Sequence, residues 1–277
     1  MQATILASNL VFPESLRIRD GRLWFVDMYD GRLLSLGLDE DGPGGLREEY
    51  AARTYFGGIA FGPDGSPLIV DKAARRLQWT GGSAGQGAFA DLSAHGASML
   101  NEMLALPSGD LLVGEYGFDL RAEAPRSANI YRVDRAGRSE IFAQGFDFPN
   151  GMVLSGDGKR LFVAETIGQR ISCLALSAEG ERIVERREHV RFEAGRPDGL
   201  AIDHADRIWA AMIGPSSLVR VTADGKVDRQ IAMDIPVYDV AVDPHRPLLY
   251  VAASRARMSD LGAGVLPRTG QILALSI

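Results

Sequence analysis

Apolar and polar residues along this chain alternate over short stretches, and no segment carries a helical stripe longer than three turns. One phrase recurs six times: a small or polar start, an apolar pair two apart, a turn rich in Gly, Pro or Asp, then a continuous apolar run. Glu14-Ser15-Leu16 leads to Leu23-Trp24-Phe25-Val26-Asp27, and Gly57-Gly58-Ile59 leads to Leu68-Ile69-Val70-Asp71. Asn101-Glu102-Met103 precedes Leu111-Leu112-Val113-Gly114, and Asn150-Gly151-Met152 precedes Leu161-Phe162-Val163-Ala164. Asp198-Gly199-Leu200 with Ile208-Trp209-Ala210-Ala211, and Tyr238-Asp239-Val240 with Leu249-Tyr250-Val251-Ala252, complete the set. Short apolar runs bounded by turn residues read as strands covered on both faces. Pro63-Asp64-Gly65, Pro107-Ser108-Gly109 and Gly156-Asp157-Gly158 supply hairpin-turn conformations between them. A third strand follows in each unit, as in Ile130-Tyr131-Arg132-Val133 and Ile171-Ser172-Cys173-Leu174.

The starts at 14, 57, 101, 150, 198 and 238 repeat with a period suited to a four-stranded blade. The expected fold is therefore all-β: one six-bladed β-propeller domain over residues 1–277. Apolar pieces at the two ends, Ala3 to Leu6 and Gln271 to Leu275, predict that both ends share the last blade and close the ring. A β-sandwich would also give many short strands, but it has no reason to repeat a four-strand phrase six times.

In a propeller the first strand of every blade lines the channel, so Glu14, Gly57, Asn101, Asn150, Asp198 and Tyr238 should surround one axis. These positions are mostly oxygen-bearing. Hard cations take carboxylate and amide oxygens at about 2.3–2.6 Å. Glu14, Asn150 and Asp198 offer that chemistry in the central channel, with Ca²⁺ the first expectation and Zn²⁺, Mn²⁺ or Mg²⁺ compatible. Taken singly, Asn150-Gly151 and Asp198-Gly199 read as turn-forming dipeptides; their common phase favours a site.

Composition narrows the partners. Hydrophobic residues make up 46% and charged residues 24% of 277, enough for a sizeable core, and the net charge of −6 argues against nucleic acid or an anionic membrane as partner. No basic leader with an apolar run and no long apolar window is present, which makes a cytoplasmic location the expectation. The closed, acidic surface suggests a monomer or weak oligomer. The single cysteine, Cys173, reads as core. His95, His189, His204 and His245 read as surface or loop residues, Gly81 to Gly87 as a blade connection, and Asp39 to Gly42 as a solvated turn. There is no Gly-x-Ser-x-Gly elbow.

Phe12-Pro13-Glu14-Ser15, Pro149-Asn150-Gly151-Met152 and Arg196-Pro197-Asp198-Gly199-Leu200 resemble the three metal-ligand signatures of the SMP-30/gluconolactonase family, the regucalcin-like proteins. The resemblance covers nearly the whole chain. It implies a six-bladed propeller with a divalent metal and hydrolysis of lactones, with Glu14, Asn150 and Asp198 as ligands and Asp198 as a candidate general base. It also implies that Asn101 contacts substrate and that Asp119 falls at an acidic sugar-hydroxyl contact. Met99 stands where sugar-lactonases carry arginine, so a less polar lactone or ester is as suitable a substrate as gluconolactone.

A bound cation would polarise the carbonyl, Asp198 would take a proton from water, and Asn101 would orient substrate or donate to the oxyanion. Tyr116 and Tyr238 are further candidates for substrate contact. The interruption from Tyr116 to Asn129 is expected to cover the channel mouth, and a second runs from Arg255 to Thr269 with Met258 and Leu261. Two other readings stay open: a metal-dependent enzyme acting on an ester, phosphotriester or hydratase substrate, and a noncatalytic propeller scaffold.

Overall fold

The computed structural model describes residues 3–39, 42–120, 122–177, 180, 182–256 and 266–277. Met258, Leu261 and most of the second interruption lie outside these, as do Glu40 and Asp41. Within the described residues the strands form six four-stranded antiparallel sheets. Their first strands are Pro13–Arg19, Phe56–Phe61, Leu100–Ala105, Pro149–Leu154, Arg196–Ile202 and Val237–Val242, which number blades 1 to 6. Each first strand packs beside the next, and that of blade 6 returns to that of blade 1, so the six enclose a channel.

The ring is closed by strand exchange between the chain ends. Thr4–Leu10 forms the outer strand of blade 6, antiparallel to Gly270–Ser276, with Thr4 opposite Ala274 and Leu10 opposite Gly270. This matches the expectation from the apolar ends and leaves only short edges.

Six hydrophobic cores lie between neighbouring blades, and they explain the continuous apolar runs. In the second strand of blade 2, Leu68 and Val70 pack toward blade 3 with Val113 and Tyr131, whereas Ile69 packs toward blade 1 with Val26 and Leu33. In blade 4, Phe162 and Ala164 face blade 5, and Leu161 and Val163 face blade 3. Each strand is thus buried on both sides, and each such side chain contributes roughly 1.5–3 kcal/mol. Cys173 sits in the core between blades 4 and 5, as its apolar surroundings predict.

A carboxylate ends the second strand in four blades, and each is spent on structure. Asp27 accepts from the Val11 and Phe12 N–H groups, the latter at 2.7 Å. Asp71 accepts from Thr54 Oγ1 (2.7 Å), and Glu165 from Asp147 N–H (2.8 Å). Glu115 accepts from Ser98 N–H (2.6 Å) and Asn129 N–H (3.0 Å). These acids fix the segment that enters the first strand. Two local expectations change here. Gly82–Ala84 forms a turn between the third and fourth strands of blade 2, so the glycine cluster lies within a blade. His189 is buried in a strand, its Nε2 3.2 Å from Thr222 O, because Gly225 lets the neighbouring turn close over it.

Candidate metal centre and adjoining cavity

Every first strand breaks its pairing with the second strand at the same place. The register shifts fall between Glu14 and Arg17, Phe56 and Ile59, Leu100 and Met103, Pro149 and Met152, Pro197 and Leu200, and Val237 and Asp239. A bulge re-aims side chains and defeats strict alternation. Two successive positions of each strand therefore serve the channel: the row of Glu14, Asn101, Asn150 and Asp198, and a second of Ser15, Glu102 and Asp239 with Gly58, Gly151 and Gly199.

The second row ties the ring together. Ser15 Oγ donates to Glu102 Oε1, Arg17 Nη2 donates to Glu102 Oε2 (3.0 Å) and Met103 O (2.8 Å), and Leu16 N–H donates to Asp239 Oδ2 (2.5 Å). Blade 1 reaches blade 3 past the Gly57-Gly58 pair of blade 2. A Cβ on Gly58 would lie 2.1 Å from Met103 N, and one on Gly151 would lie 2.4 Å from Leu200 N. The glycines after Asn150 and Asp198 are thus packing requirements within strands, and neither has a positive φ. The turn reading of these dipeptides does not hold.

In the first row Glu14, Asn101, Asn150 and Asp198 are all buried. Asn150 Nδ2 donates to Asp198 Oδ1 and to Thr166 Oγ1 (3.2 Å), while Thr166 donates to Pro197 O (2.9 Å). The other side of that amide, Oδ1, is buried with no hydrogen-bond partner among the described residues. Asn101 is held at both ends: Oδ1 accepts from Lys72 Nζ (2.9 Å) and Nδ2 donates to Pro149 O (3.0 Å). Lys72 also donates to Tyr116 OH (3.2 Å).

Lys72, Tyr116 and Thr166 share an origin. Each follows the carboxylate that ends a second strand, and each N–H bonds back to the residue before the first strand or close to it: Tyr55 O (2.9 Å), Met99 O (2.9 Å) and Phe148 O (3.0 Å) respectively. Beside them opens a cavity of about 580 Å³, walled by Met99, Tyr116, Phe118 and Asp119 with Lys72 and Tyr29. Phe118 is buried against Phe148, so the start of the Tyr116 to Asn129 segment forms a packed wall of this cavity. Tyr238 is placed apart from that lining, its ring 4.3 Å from Phe12.

A family model for the SMP-30/gluconolactonase/LRE-like region matches residues 12–253. The chain belongs to this family. Among its relatives, a 6-deoxy-6-sulfogluconolactonase of Pseudomonas putida is 25% identical over 265 residues, covering 93% of this chain and 84% of the other. A pentonolactonase of Haloferax volcanii is 26% identical over 206 residues, 74% of this chain and 67% of the other. The crystal structure of a calcium-binding protein, regucalcin, from Agrobacterium tumefaciens superposes with a TM-score of 0.81 at 20% identity, over 99% of this chain and 92% of that one.

In this SMP-30/gluconolactonase-family chain the channel gathers an unusual charge density. Burial, then the Asp198 carboxylate, pushes Glu14 well above the usual carboxylate range. Burial, then Asp239, does the same to Asp198, and burial with Glu102 raises Asp239 to about 7. Burial opposes the charge on Lys72, yet Tyr116 and the Glu14 and Glu102 carboxylates together hold it above its ordinary value. Among the described residues no three His, Cys, Asp or Glu side chains group as a metal cluster; the candidate set here is two carboxylates and an amide. Nor does any described helix have the length and apolarity to cross a membrane.

Three acids that bind protons more tightly when folded make stability depend on pH. Their contribution is complete below the usual carboxylate range and is lost as pH rises, for Asp239 through about 7. The metal-free protein should therefore melt at a higher temperature at pH 6.5 than at pH 8.5 in calorimetric scans after chelation. Only the lower end of this window overlaps the range in which His189, whose proton affinity burial lowers, acts in the opposite sense. A flat profile would mean that the three carboxylates do not share one desolvated site.

Proposed function

We propose that this chain is a divalent-metal-dependent lactonase whose metal is held by Glu14, Asn150 and Asp198. The observation that carries the reading is Asn150 Oδ1, an amide oxygen buried, among the described residues, without a partner beside a buried carboxylate. An uncompensated buried acceptor costs about 1–3 kcal/mol, which a cation would relieve. The donor set is oxygen only, which suits hard cations, Ca²⁺ first, with Mg²⁺ and Mn²⁺ next and Zn²⁺ also possible. The calcium-binding regucalcin neighbour and the two lactonase relatives support the same reading.

A divalent cation bound there supplies Lewis-acid polarisation of the lactone carbonyl. The protein's own groups do the rest. Glu14 and Asp198 balance the positive charge. Asp198, whose burial strengthens its hold on a proton, accepts the proton released as water attacks the acyl carbon. Asn101, immobilised by Lys72 and Pro149 O, keeps its amide fixed toward the channel and orients the substrate. Met99 and Tyr116 flank the leaving portion of the ring from the cavity, with Asp119 on the same wall, while Tyr238 packs on Phe12 outside that lining.

The test is removal of metal with chelator, followed by proton-release assays on a panel of γ- and δ-lactones with each divalent ion restored. Hydrolysis should fall to background and return most strongly with Ca²⁺. Undiminished hydrolysis after chelation would remove the metal from the reaction. Tight metal binding without turnover of any lactone would move the protein to another ester, phosphotriester or hydration substrate.

A further inference from the structure

The cavity beside the ring holds buried hydrogen-bond donors that its acids do not engage. Of its three acids Asp119 has an interaction of its own, Glu115 is satisfied by Ser98 N–H (2.6 Å) and Asn129 N–H (3.0 Å), and Glu123 by Asp119 N–H (2.9 Å) and Arg126 Nη2 (2.7 Å). The donors are not. Lys72 spends two of its three N–H groups, on Asn101 Oδ1 and Tyr116 OH, although its side chain is only 2% exposed. Tyr29 OH and Arg75 Nε, on residues lining the same cavity, are buried without partners among the described residues.

Charge points the same way. Glu102 is paired with Arg17 at 3.0 Å. Once Glu14 and Asp198 balance a divalent cation, with Asp239 held by the Leu16 and Val240 N–H groups (2.5 and 2.8 Å), the Lys72 ammonium sits in a desolvated pocket where, among the described residues, it hydrogen-bonds no carboxylate. Such a group binds an anion far more strongly than it would in water. On the remaining wall Met28, Met99, Phe118 and Leu120 offer apolar faces to a carbon skeleton, interspersed with Ser98, Asp119, Ser127 and Asn129.

We propose that the cavity is a carboxylate subsite, with Lys72 as its anchor and Tyr29 as a second donor, so that the natural substrate is a lactone bearing a carboxylate. The assignment rests on the lactonase reading above for the reaction, and on the cavity alone for the anion.

The probe pair is the γ-lactone of 2-hydroxyglutarate and its primary amide, which differ by one charge. The wild type should show kcat/KM about tenfold or more higher for the carboxylate, and Lys72→Met should bring the ratio close to one. The ratio is informative because a loss of Asn101 positioning would slow both substrates alike. Tyr29→Phe should reduce the preference by a few-fold, and it decides the matter should K72M fail to fold. Equal rates for the two lactones in the wild type, or a preference that survives both substitutions, would overturn the subsite. If neither lactone is hydrolysed, calorimetry of glutarate against glutaramide on the Ca²⁺-loaded protein separates the two ideas. Glutarate binding that is weakened in Y29F or K72M upholds the anion site while the lactonase reading falls, and absence of selective glutarate binding removes the site as well.

Discussion

Asp198→Asn should yield a folded protein with kcat/KM on lactones down by about 10³, equivalent to about 4 kcal/mol of transition-state stabilisation. Asparagine preserves the volume and can still accept from Asn150 Nδ2, so the local packing survives. What disappears is a buried negative charge that raises the proton affinity of Glu14. The metal-free variant is therefore expected to melt at the same temperature as the wild type or higher, while the upward shift in melting temperature that Ca²⁺ gives the wild type is lost. Opposite movements of stability and activity mark a site assembled for function against the preference of the fold. Activity within tenfold of wild type would show that Asp198 is neither ligand nor base.

Gly199→Ala is expected to be strongly destabilising. Its Cβ would lie 1.8 Å from Asp239 Oδ1 and 2.6 Å from Asp239 Cα. The carboxylate can swing away, but the Cα cannot, so the first strands of blades 5 and 6 would have to separate. Overpacking of this kind costs about 3 kcal/mol or more, a fall in melting temperature of roughly 6–12 °C for a chain of this size. Gly45→Ala, where a Cβ meets nothing within 4 Å, serves as the control and should leave thermal unfolding unchanged. Equal melting temperatures for the two variants would mean that the blades are looser than described.

The sixfold phrase was legible because each second strand is buried on both faces and cannot hide its apolar run. Glu14, Asn101, Asn150 and Asp198 were legible because they recur at one phase of that phrase. Glu102 and Asp239 were not, since a period-two reading sends the residue after a channel position to the opposite face, and only the shared bulge brings it back. Lys72 and Thr166 escaped for another reason. Their position after the second strand holds Met28, Lys72, Tyr116 and Thr166 in the first four blades, so no common chemistry flags it. The carboxylate just before, Asp27, Asp71, Glu115 or Glu165, was the available signal. Glu115, readable from sequence as a solvated strand end, is 4% exposed because backbone N–H groups from two segments converge on it.

The pairing of Thr4–Leu10 with Gly270–Ser276 has a consequence for how the protein is made. Thr4–Leu10 finds its partner only when Gly270–Ser276 has been synthesised, an interval of roughly 13–52 s at ordinary elongation rates. Throughout that time blade 1 lacks its neighbour on one side, and Leu23, Phe25 and Leu34 face solvent in place of Tyr250 and Ile272. The nascent propeller is thus an open arc with two sticky ends, and its dependence on chaperones should be greatest just before Gly270–Ser276 emerges.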